Sequence, residues 1–405
     1  MILHVRFGKR DFEINTCSLP VISLCVYIVV ASVFEYGTAV NNALSSYALF
    51  ACLAICGVSL IRRKSFHWYR MDTCLFILGV ILSISCLHSP TDANYMRNTL
   101  YRYWTCFVLA AIAANEIKTE HDVNAILNSF IVAGVCLSLV IYGFYGVRNL
   151  LNAGQRLENG DFGNVNTIGL ICSLAIVLAI YKLFTEKKHK VLLTASSVIC
   201  LPMLMFTGSR KALLVLLAAI IVFVIVYFRN KNLLKRILMI VFCVAAFLLL
   251  MRFVPAFAPI RERLMGTLYI FSMKKGNMVV GDAARIQYLV EGWKAFLKNP
   301  LFGNGFCYST YLFTTYSHCN YIELLMNNGI IGFAAYYSVY AILILRLKNI
   351  RHDRKTFSFV LMLVVFYLFE EIGVVDYYTR LTILALTWIY KAELVCMQKK
   401  QDSED

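Results

Sequence analysis

The chain has 405 residues, of which 60% are apolar and 15% are charged, and its formal net charge is +16. The apolar residues fall into blocks long enough to cross about 30 Å of hydrocarbon. Continuous blocks of this length favour helices over the alternating strands of an outer-membrane barrel. Composition therefore predicts an all-α, polytopic integral membrane protein without a separate soluble domain.

The apolar blocks predict about twelve transmembrane helices. Residues 1–254 hold nine of them, 255–327 form a long extracytoplasmic loop, and 328–405 hold the last three and a cytoplasmic C-terminus. The predicted spans are 20–38, 43–61, 71–88, 101–116, 125–147, 167–184, 191–207, 211–228, 236–254, 328–346, 356–372 and 377–395. The first block lacks a small-residue cleavage site, so we expect it to remain as the first span.

Basic residues set the orientation of these spans. Alternate connections are short and rich in Lys and Arg, for example Arg62-Arg63-Lys64 and Lys187-Lys188-His189-Lys190. The positive-inside rule assigns such connections to the cytoplasm, and both termini then lie there too. Orientation and attraction to anionic lipid explain most of the positive charge, so we expect membrane lipid and not nucleic acid as its partner.

One span starts with a basic pair at its predicted outer end. Ser209 can cap a helix that begins at Arg210 and Lys211. Positive charge there opposes the topological bias, although an arginine at a span end also commonly extends toward lipid headgroups. A helix N-terminus with two cations favours an anion such as phosphate.

The long loop contains an amphipathic segment. Ile286, Leu289, Val290, Trp293, Phe296 and Leu297 recur at helical spacing, and polar residues occupy the opposite face. This pattern predicts an interfacial helix capped by Asp282, with Arg285 in its first turn. Arg285 offers a second guanidinium on the outer face, although an arginine on an interfacial helix usually contacts lipid headgroups.

A second short helix is predicted to start with Ser317 as its N-cap and His318 as its first residue, and to stop near Gly329. A helix dipole lowers the pKa of a histidine at this position, and a neutral imidazole can accept a proton from a hydroxyl. The alternative is a histidine with only structural hydrogen bonds. Glu323 falls on a different face of this helix and is not an obvious partner for the imidazole.

The sequence lacks the motifs of several enzyme classes. We find no catalytic-serine motif, HExxH, phosphate-binding glycine loop or carboxylate cluster, so we expect no metal and no cofactor. Cations for a pyrophosphate and a base for a hydroxyl fit attack of a sugar hydroxyl on a polyprenyl-diphosphate-linked sugar. Cys307 and Cys319 are predicted to face outside, either as a disulfide or as two free thiols.

Three segments resemble the O-antigen polymerase and O-antigen ligase superfamily. They are Thr207-Gly208-Ser209-Arg210-Lys211-Ala212-Leu213-Leu214, the run from Ala284-Arg285-Ile286 through Asn299-Pro300-Leu301-Phe302-Gly303-Asn304-Gly305, and His318-Cys319-Asn320-Tyr321-Ile322-Glu323 with Gly329-Ile330-Ile331-Gly332. The order of the segments and the number of spans also match. The first and third segments are more similar to polymerases than to ligases.

The resemblance implies roles for particular residues. Members are metal-independent glycosyltransferases, and their pattern makes Arg210 and Arg285 the ligands of undecaprenyl diphosphate and His318 the base that activates the acceptor. Lys211, Asn320 and Tyr321 are further predicted substrate contacts. Cys319 separates His318 from Asn320, whereas many ligases have an adjacent His-Asn pair. Arg156 and Asn166 are similar to an arginine-then-asparagine segment of the family and are also predicted substrate contacts.

The resemblance thus predicts a polysaccharide polymerase of the bacterial cytoplasmic membrane, with its active site on the outer face. Its substrate would be an undecaprenyl-diphosphate-linked oligosaccharide, and a chain-length regulator protein is a candidate partner. One alternative is a ligase that transfers the glycan to lipid A core. Another is a flippase or permease, although such proteins more often carry ionisable or Gly/Pro-broken positions within their spans.

Overall fold

The computed structural model describes residues 2–7, 10–15, 17–35, 39–152, 157, 162–253, 261 and 280–404. In these residues the protein is built almost entirely from helices. The helices are α1 Leu19–Phe34, α2 Ala39–Arg63, α3 Arg70–Ser85, α4 Ala93–Glu116, α5 Glu120–Tyr145, α6 Val147–Asn152, α7 Val165–Thr185, α8 Lys190–Phe206, α9 Arg210–Tyr227, α10 Leu233–Phe253, α11 Val280–Lys298, α12 Tyr308–Phe313, α13 Asn320–Arg346, α14 Arg354–Glu370 and α15 Arg380–Glu404. Short 3-10 turns follow α3 and α13.

The structure adds an N-terminal β-hairpin that the all-α prediction did not include. Strands β1 (Ile2–Phe7) and β2 (Arg10–Asn15) pair antiparallel, with Ile2 opposite Asn15 and Phe7 opposite Arg10. The prediction followed long apolar blocks, and a six-residue strand of mixed composition gives no such signal. After this hairpin, the regular elements of the described chain are all helices.

A helix lies at each of the twelve predicted spans. Within the described residues, seven are long and apolar enough to cross a membrane, so the protein is membrane-integral by length and composition. They are Asn42–Arg63, Arg70–His88, Glu120–Tyr145, Val165–Thr185, Arg210–Tyr227, Asn320–Ile350 and Arg380–Asp402. Membrane crossing by the other five, and the topology, stay predictions.

The helices pack into one bundle around a continuous apolar core. Helix α7 packs against α5, α8 and α9, and α9 packs against α14. Helix α13 packs on α3 and α11, and α15 packs on α4. The largest fully buried side chains include Trp388, Tyr27, Tyr103, Tyr336 and Tyr377. This packing brings the start of α9, the end of α14 and the start of α13 to one end of the bundle.

The predicted helix start at Ser317 is wrong. Helix α13 begins at Asn320 with Cys319 as its N-cap, and His318 precedes it with a left-handed φ of 62°. The Ser317 N–H donates instead to the Glu323 carboxylate at 2.8 Å, and the Asn320 N–H donates to the Glu371 carbonyl at 2.9 Å. Tertiary partners therefore replace the local cap, and the helix-dipole argument does not apply to His318.

Candidate functional site

The corner before α9 fixes the position of the predicted basic pair. As predicted, Ser209 is the N-cap, and its hydroxyl accepts a hydrogen bond from the Ala212 N–H at 3.4 Å. Gly169 of α7 lies so close that a Cβ there would stand 2.9 Å from the Thr207 hydroxyl and 3.0 Å from the Ala212 Cβ. Arg210 is the first residue of α9 and is partly buried.

Lys211 connects α9 to the turn between α14 and α15. Its Nζ donates a hydrogen bond to the Gly373 carbonyl at 2.9 Å. The carboxyl groups of Glu370 and Asp376 are near enough for their charges to act on the ammonium, as is the guanidinium of Arg285. The lysine therefore lies between an acidic side, on α14 and its following turn, and a basic side on α11.

His318 lies between two tyrosine rings. The Tyr316 ring centroid is 4.2 Å from that of the imidazole, and the Tyr288 ring is stacked on it at 6.3 Å. Burial lowers the pKa of His318 to about 4, and the positive charges of Arg285 and Lys211 add to this effect. At neutral pH the imidazole is thus uncharged, as predicted, although burial and neighbouring cations cause this and not a helix dipole.

Helix α11 carries Arg285 to this position. Gly292 allows close packing of α11 on α13, because a Cβ there would lie 2.5 Å from the Ile322 Cγ2 atom. Tyr288 of α11 also packs on Phe313, with ring centroids 4.6 Å apart. The structure therefore brings Lys211, Arg285 and His318 within electrostatic reach of one another, and Arg210 adjoins them through its place beside Lys211.

Glu323 anchors the connector that carries His318. Its buried carboxylate accepts hydrogen bonds from the Ser309 hydroxyl, the Ser317 N–H at 2.8 Å and the Asn327 amide at 3.1 Å. Three segments thus converge on one acidic group. No role for Glu323 is predictable from the sequence alone, because its partners lie both before and after it in the chain.

A backbone ladder holds residues 300–305 against the first part of α13. The N–H groups of Asn304 and Gly305 donate to the carbonyls of Met326 and Asn327, and the Ile330 N–H donates to the Pro300 carbonyl. Gly303 and Gly329 have φ of 72° and 63°, and a Cβ on either would collide with backbone of the opposite segment. The glycines of both predicted motifs are therefore structural.

Asn320 and Tyr321, predicted as substrate contacts, bond to neighbouring segments of the protein. The Asn320 side-chain oxygen accepts hydrogen bonds from the N–H groups of Asp376 and Tyr377 at 3.0 and 3.3 Å, and the side chain is fully buried. The Tyr321 hydroxyl donates to the Leu368 carbonyl at 2.8 Å. Asn320 therefore positions the turn after α14, and Tyr321 bonds to the last turn of α14 itself. Direct contact of either residue with a substrate stays a prediction.

The segment before α7 is only partly described. Arg156 lies outside the described residues. Asn166 is partly buried in the first turn of α7, and its N–H donates to the Asn164 side chain at 2.8 Å. The Asn164 side chain lies near enough to the Tyr316 hydroxyl to act on it, and this proximity links α7 to the neighbourhood of His318. Cys307 and Cys319 are buried free thiols, so the disulfide alternative is not present here.

Sequence reasoning missed the acidic side of the site. A cavity of about 230 Å³ is lined by Tyr316, Glu370 and Asp376, among others. Glu370 ends an apolar span, and Asp376 lies in the following turn, more than 50 residues after His318 in the chain. The available signal was a carboxylate at the end of a predicted apolar span.

Comparison with known families adds one decisive observation. Residues 195–337 match the family model Wzy_C, described as O-antigen ligase. The predicted resemblance is therefore confirmed for this segment. The Wzy_C segment contains Arg210, Lys211, Arg285 and His318. It also contains the backbone ladder with Gly303 and Gly329. It ends before Glu370 and Asp376.

Similarity to whole proteins is weak. No curated protein matches the chain. A chain of a solved structure described as "Structural coordination of polymerization and crosslinking by a peptidoglycan synthase complex" is 14% identical, with a TM-score of 0.43. The alignment covers 84% of this chain and 99% of that chain.

Proposed function

We propose that this protein is a membrane glycosyltransferase that polymerises a surface polysaccharide such as O-antigen. It transfers the growing glycan from undecaprenyl diphosphate to the nonreducing end of a lipid-linked repeat unit, at the outer face of the cytoplasmic membrane. The observation that carries this proposal is an uncharged imidazole beside the cations of Arg285 and Lys211, inside the segment that matches Wzy_C.

The reaction needs a base and an anion site. An imidazole nitrogen of His318 accepts the proton of an acceptor hydroxyl, and the hydroxyl oxygen attacks the anomeric carbon of the donor. The bond from that carbon to the diphosphate oxygen breaks, and the diphosphate leaves with the bonding electrons. Arg210 and Arg285 stabilise the negative charge that develops on the leaving group, so no metal ion is required.

Donor binding would also activate the base. The pKa of His318 is low partly because two cations face the imidazole. A diphosphate held by the same cations offsets their charge, so the pKa of His318 rises toward its ordinary value. The imidazole therefore becomes a stronger base when the donor is in place, which couples proton removal to the presence of a leaving group.

The test is an assay with purified protein and a defined lipid-linked repeat unit, with and without chelator. We expect a ladder of longer glycans in both conditions. Abolition by chelator would contradict the metal-free mechanism. Movement of an unchanged substrate across reconstituted vesicles, without a ladder, would identify a transporter instead.

A ligase is the second candidate, because the matching family model is described as O-antigen ligase. A ligase transfers the finished glycan to lipid A core, whereas a polymerase extends it. Deletion of the gene separates the two. Single repeat units on the core indicate a missing polymerase, and a core without any glycan indicates a missing ligase.

A further inference from the structure

A cavity near His318 is lined by both acidic and apolar side chains. We call it the acid cavity; its lining includes residues of α5, α7, α14 and the turn that follows α14. Glu370, Asp376 and Tyr316 line it together with the apolar Leu170 and Phe366. Its volume of about 230 Å³ is far more than one water needs and approaches the lower range of small-molecule sites.

Two carboxylate oxygens of the acid cavity are unsatisfied. Glu370 and Asp376 are 8% and 3% exposed, and Glu370 Oε2 and Asp376 Oδ2 have no hydrogen-bond partner among the described residues. A buried polar atom without a partner is costly, so such atoms usually indicate a missing ligand or water. The carboxylate of Asp376 can only accept hydrogen bonds when it is ionised, so the partner missing at Asp376 Oδ2 must supply a donor.

Charge excludes the diphosphate from this cavity. Lys211 lies near both acids but bonds to the Gly373 carbonyl, and Arg102, which also lines the cavity, bonds to Glu35 at 3.1 Å. Burial raises the pKa of Asp376 to about 6 and Lys211 opposes the rise, so the carboxyl is mostly ionised at pH 7. An anion would meet the negative charge of Asp376 here, whereas sugar hydroxyls can donate hydrogen bonds to both carboxyl groups.

We propose that the acid cavity binds the terminal sugar of the acceptor, with Glu370 and Asp376 accepting hydrogen bonds from its hydroxyls. This inference rests on the proposed function and divides the site into two halves. Arg210 and Arg285 hold the donor diphosphate, and the acid cavity holds the acceptor. Tyr316 joins the halves, because it lines the cavity and its ring lies 4.2 Å from that of His318.

Binding of two separate probes tests whether the site is divided into a donor half and an acceptor half. One is the repeat-unit oligosaccharide released from its lipid carrier, which carries no phosphate, and the other is inorganic pyrophosphate. We expect Glu370→Gln and Asp376→Asn to raise the dissociation constant of the oligosaccharide at least about tenfold, and to leave pyrophosphate binding as tight as in wild type or tighter. Arg285→Ala should show the opposite pattern.

Glu393→Gln is the matched control. Glu393 is also a buried glutamate with an unpartnered oxygen among the described residues, but it is paired with Arg346 and is not among the residues that line the acid cavity. Thermal unfolding checks that each variant is folded. Leu174→Phe, which fills part of the cavity without altering an acid, should weaken oligosaccharide binding too, and it keeps the test available if an acid variant fails to fold.

Three outcomes would overturn the assignment. They are wild-type oligosaccharide affinity in both acid variants, weakened pyrophosphate binding in those variants, and loss of oligosaccharide binding on chelation, which would mean that the carboxylates hold a cation. Other results separate this assignment from the proposed function. If the protein binds the oligosaccharide through both acids but makes no product ladder, the proposed function fails and the cavity assignment stands. If both acid variants make a ladder with an unchanged KM for the acceptor, the cavity assignment fails and the proposed function stands.

Discussion

The ammonium of Lys211 donates a hydrogen bond to the carbonyl of Gly373 at 2.9 Å, and the glycine leaves room for the lysine side chain. A Cβ on Gly373 would lie 2.5 Å from the Lys211 Cδ atom. We therefore expect Gly373→Ala to displace the lysine while the fold is kept, because a flexible side chain yields before a helix does. Polymerisation should fall about tenfold to a hundredfold.

The control for this variant is Gly143→Ala, at an exposed helical position where a Cβ would meet nothing within 4 Å. Product ladders and thermal unfolding of both proteins are compared. Full activity of Gly373→Ala with an unchanged unfolding temperature would mean that the position of Lys211 does not matter to the reaction.

The two arginines are predicted to hold the leaving group. Arg210→Ala and Arg285→Ala should each abolish long-chain product without lowering the amount of protein in the membrane. Lysine at either position should restore part of the activity, because a point charge lacks the two parallel hydrogen bonds of a guanidinium. Arg229→Ala, in the exposed turn after α9, is the control, and normal chains in either alanine variant would refute the assignment.

The pKa of His318 should depend on the diphosphate. In the free protein the imidazole is neutral above about pH 4. Diethyl pyrocarbonate modifies only neutral histidine, so the pH dependence of labelling of the His318 peptide reports this pKa by mass spectrometry. Pyrophosphate should move the midpoint upward, toward 6.5. An identical curve with and without pyrophosphate would exclude charge compensation at this site, and Arg285→Ala should reduce the shift.

The contact between Gly292 and Ile322 should set the position of Arg285. Gly292→Ala places a methyl group 2.5 Å from the Ile322 Cγ2 atom and should push α11 away from α13. We expect lower activity, with partial recovery in the double variant Gly292→Ala/Ile322→Ala, because the second change removes the colliding atom. Equal activity of the single and double variants would show that this contact does not position the arginine.

Glu323 should matter for stability more than for chemistry. Glu323→Ala leaves the Ser317 N–H and the Asn327 amide without their acceptor and opens space in a buried site. The expected loss is about 3 kcal/mol of the free energy of unfolding, measured by denaturant titration in detergent. Glu291→Ala is the control, since its partly exposed carboxylate on α11 pairs, within the described part of the chain, with Lys294 alone at 2.8 Å.

The sequence was sufficient for the features that depend on local signals. Apolar length located a helix at every predicted span, and the serine before a basic pair correctly identified the cap of α9. It failed where distant residues compete with local ones. Ser317 resembles a cap, but the Glu323 carboxylate takes its N–H and the start of α13 bonds to Glu371 instead.

The acidic half of the site was missed for a related reason. Arg210, Arg285 and His318 lie within recognisable motifs, whereas Glu370 and Asp376 acquire meaning only because α14 packs on α9 and delivers them to Lys211. No pattern of residue spacing along the chain predicts that the two acids lie near Lys211. Helix packing determines it, through small contacts such as the one between Gly373 and Lys211.

The ladder between residues 300–305 and 326–331 makes the intervening stretch a closed loop whose two ends are tied to each other by main-chain bonds. A proteolytic nick at an exposed position within it, such as Tyr311, would therefore not release either half. The two fragments should migrate separately in denaturing gels yet co-purify under native conditions. The segment that carries His318 would therefore keep its position after the backbone is cut.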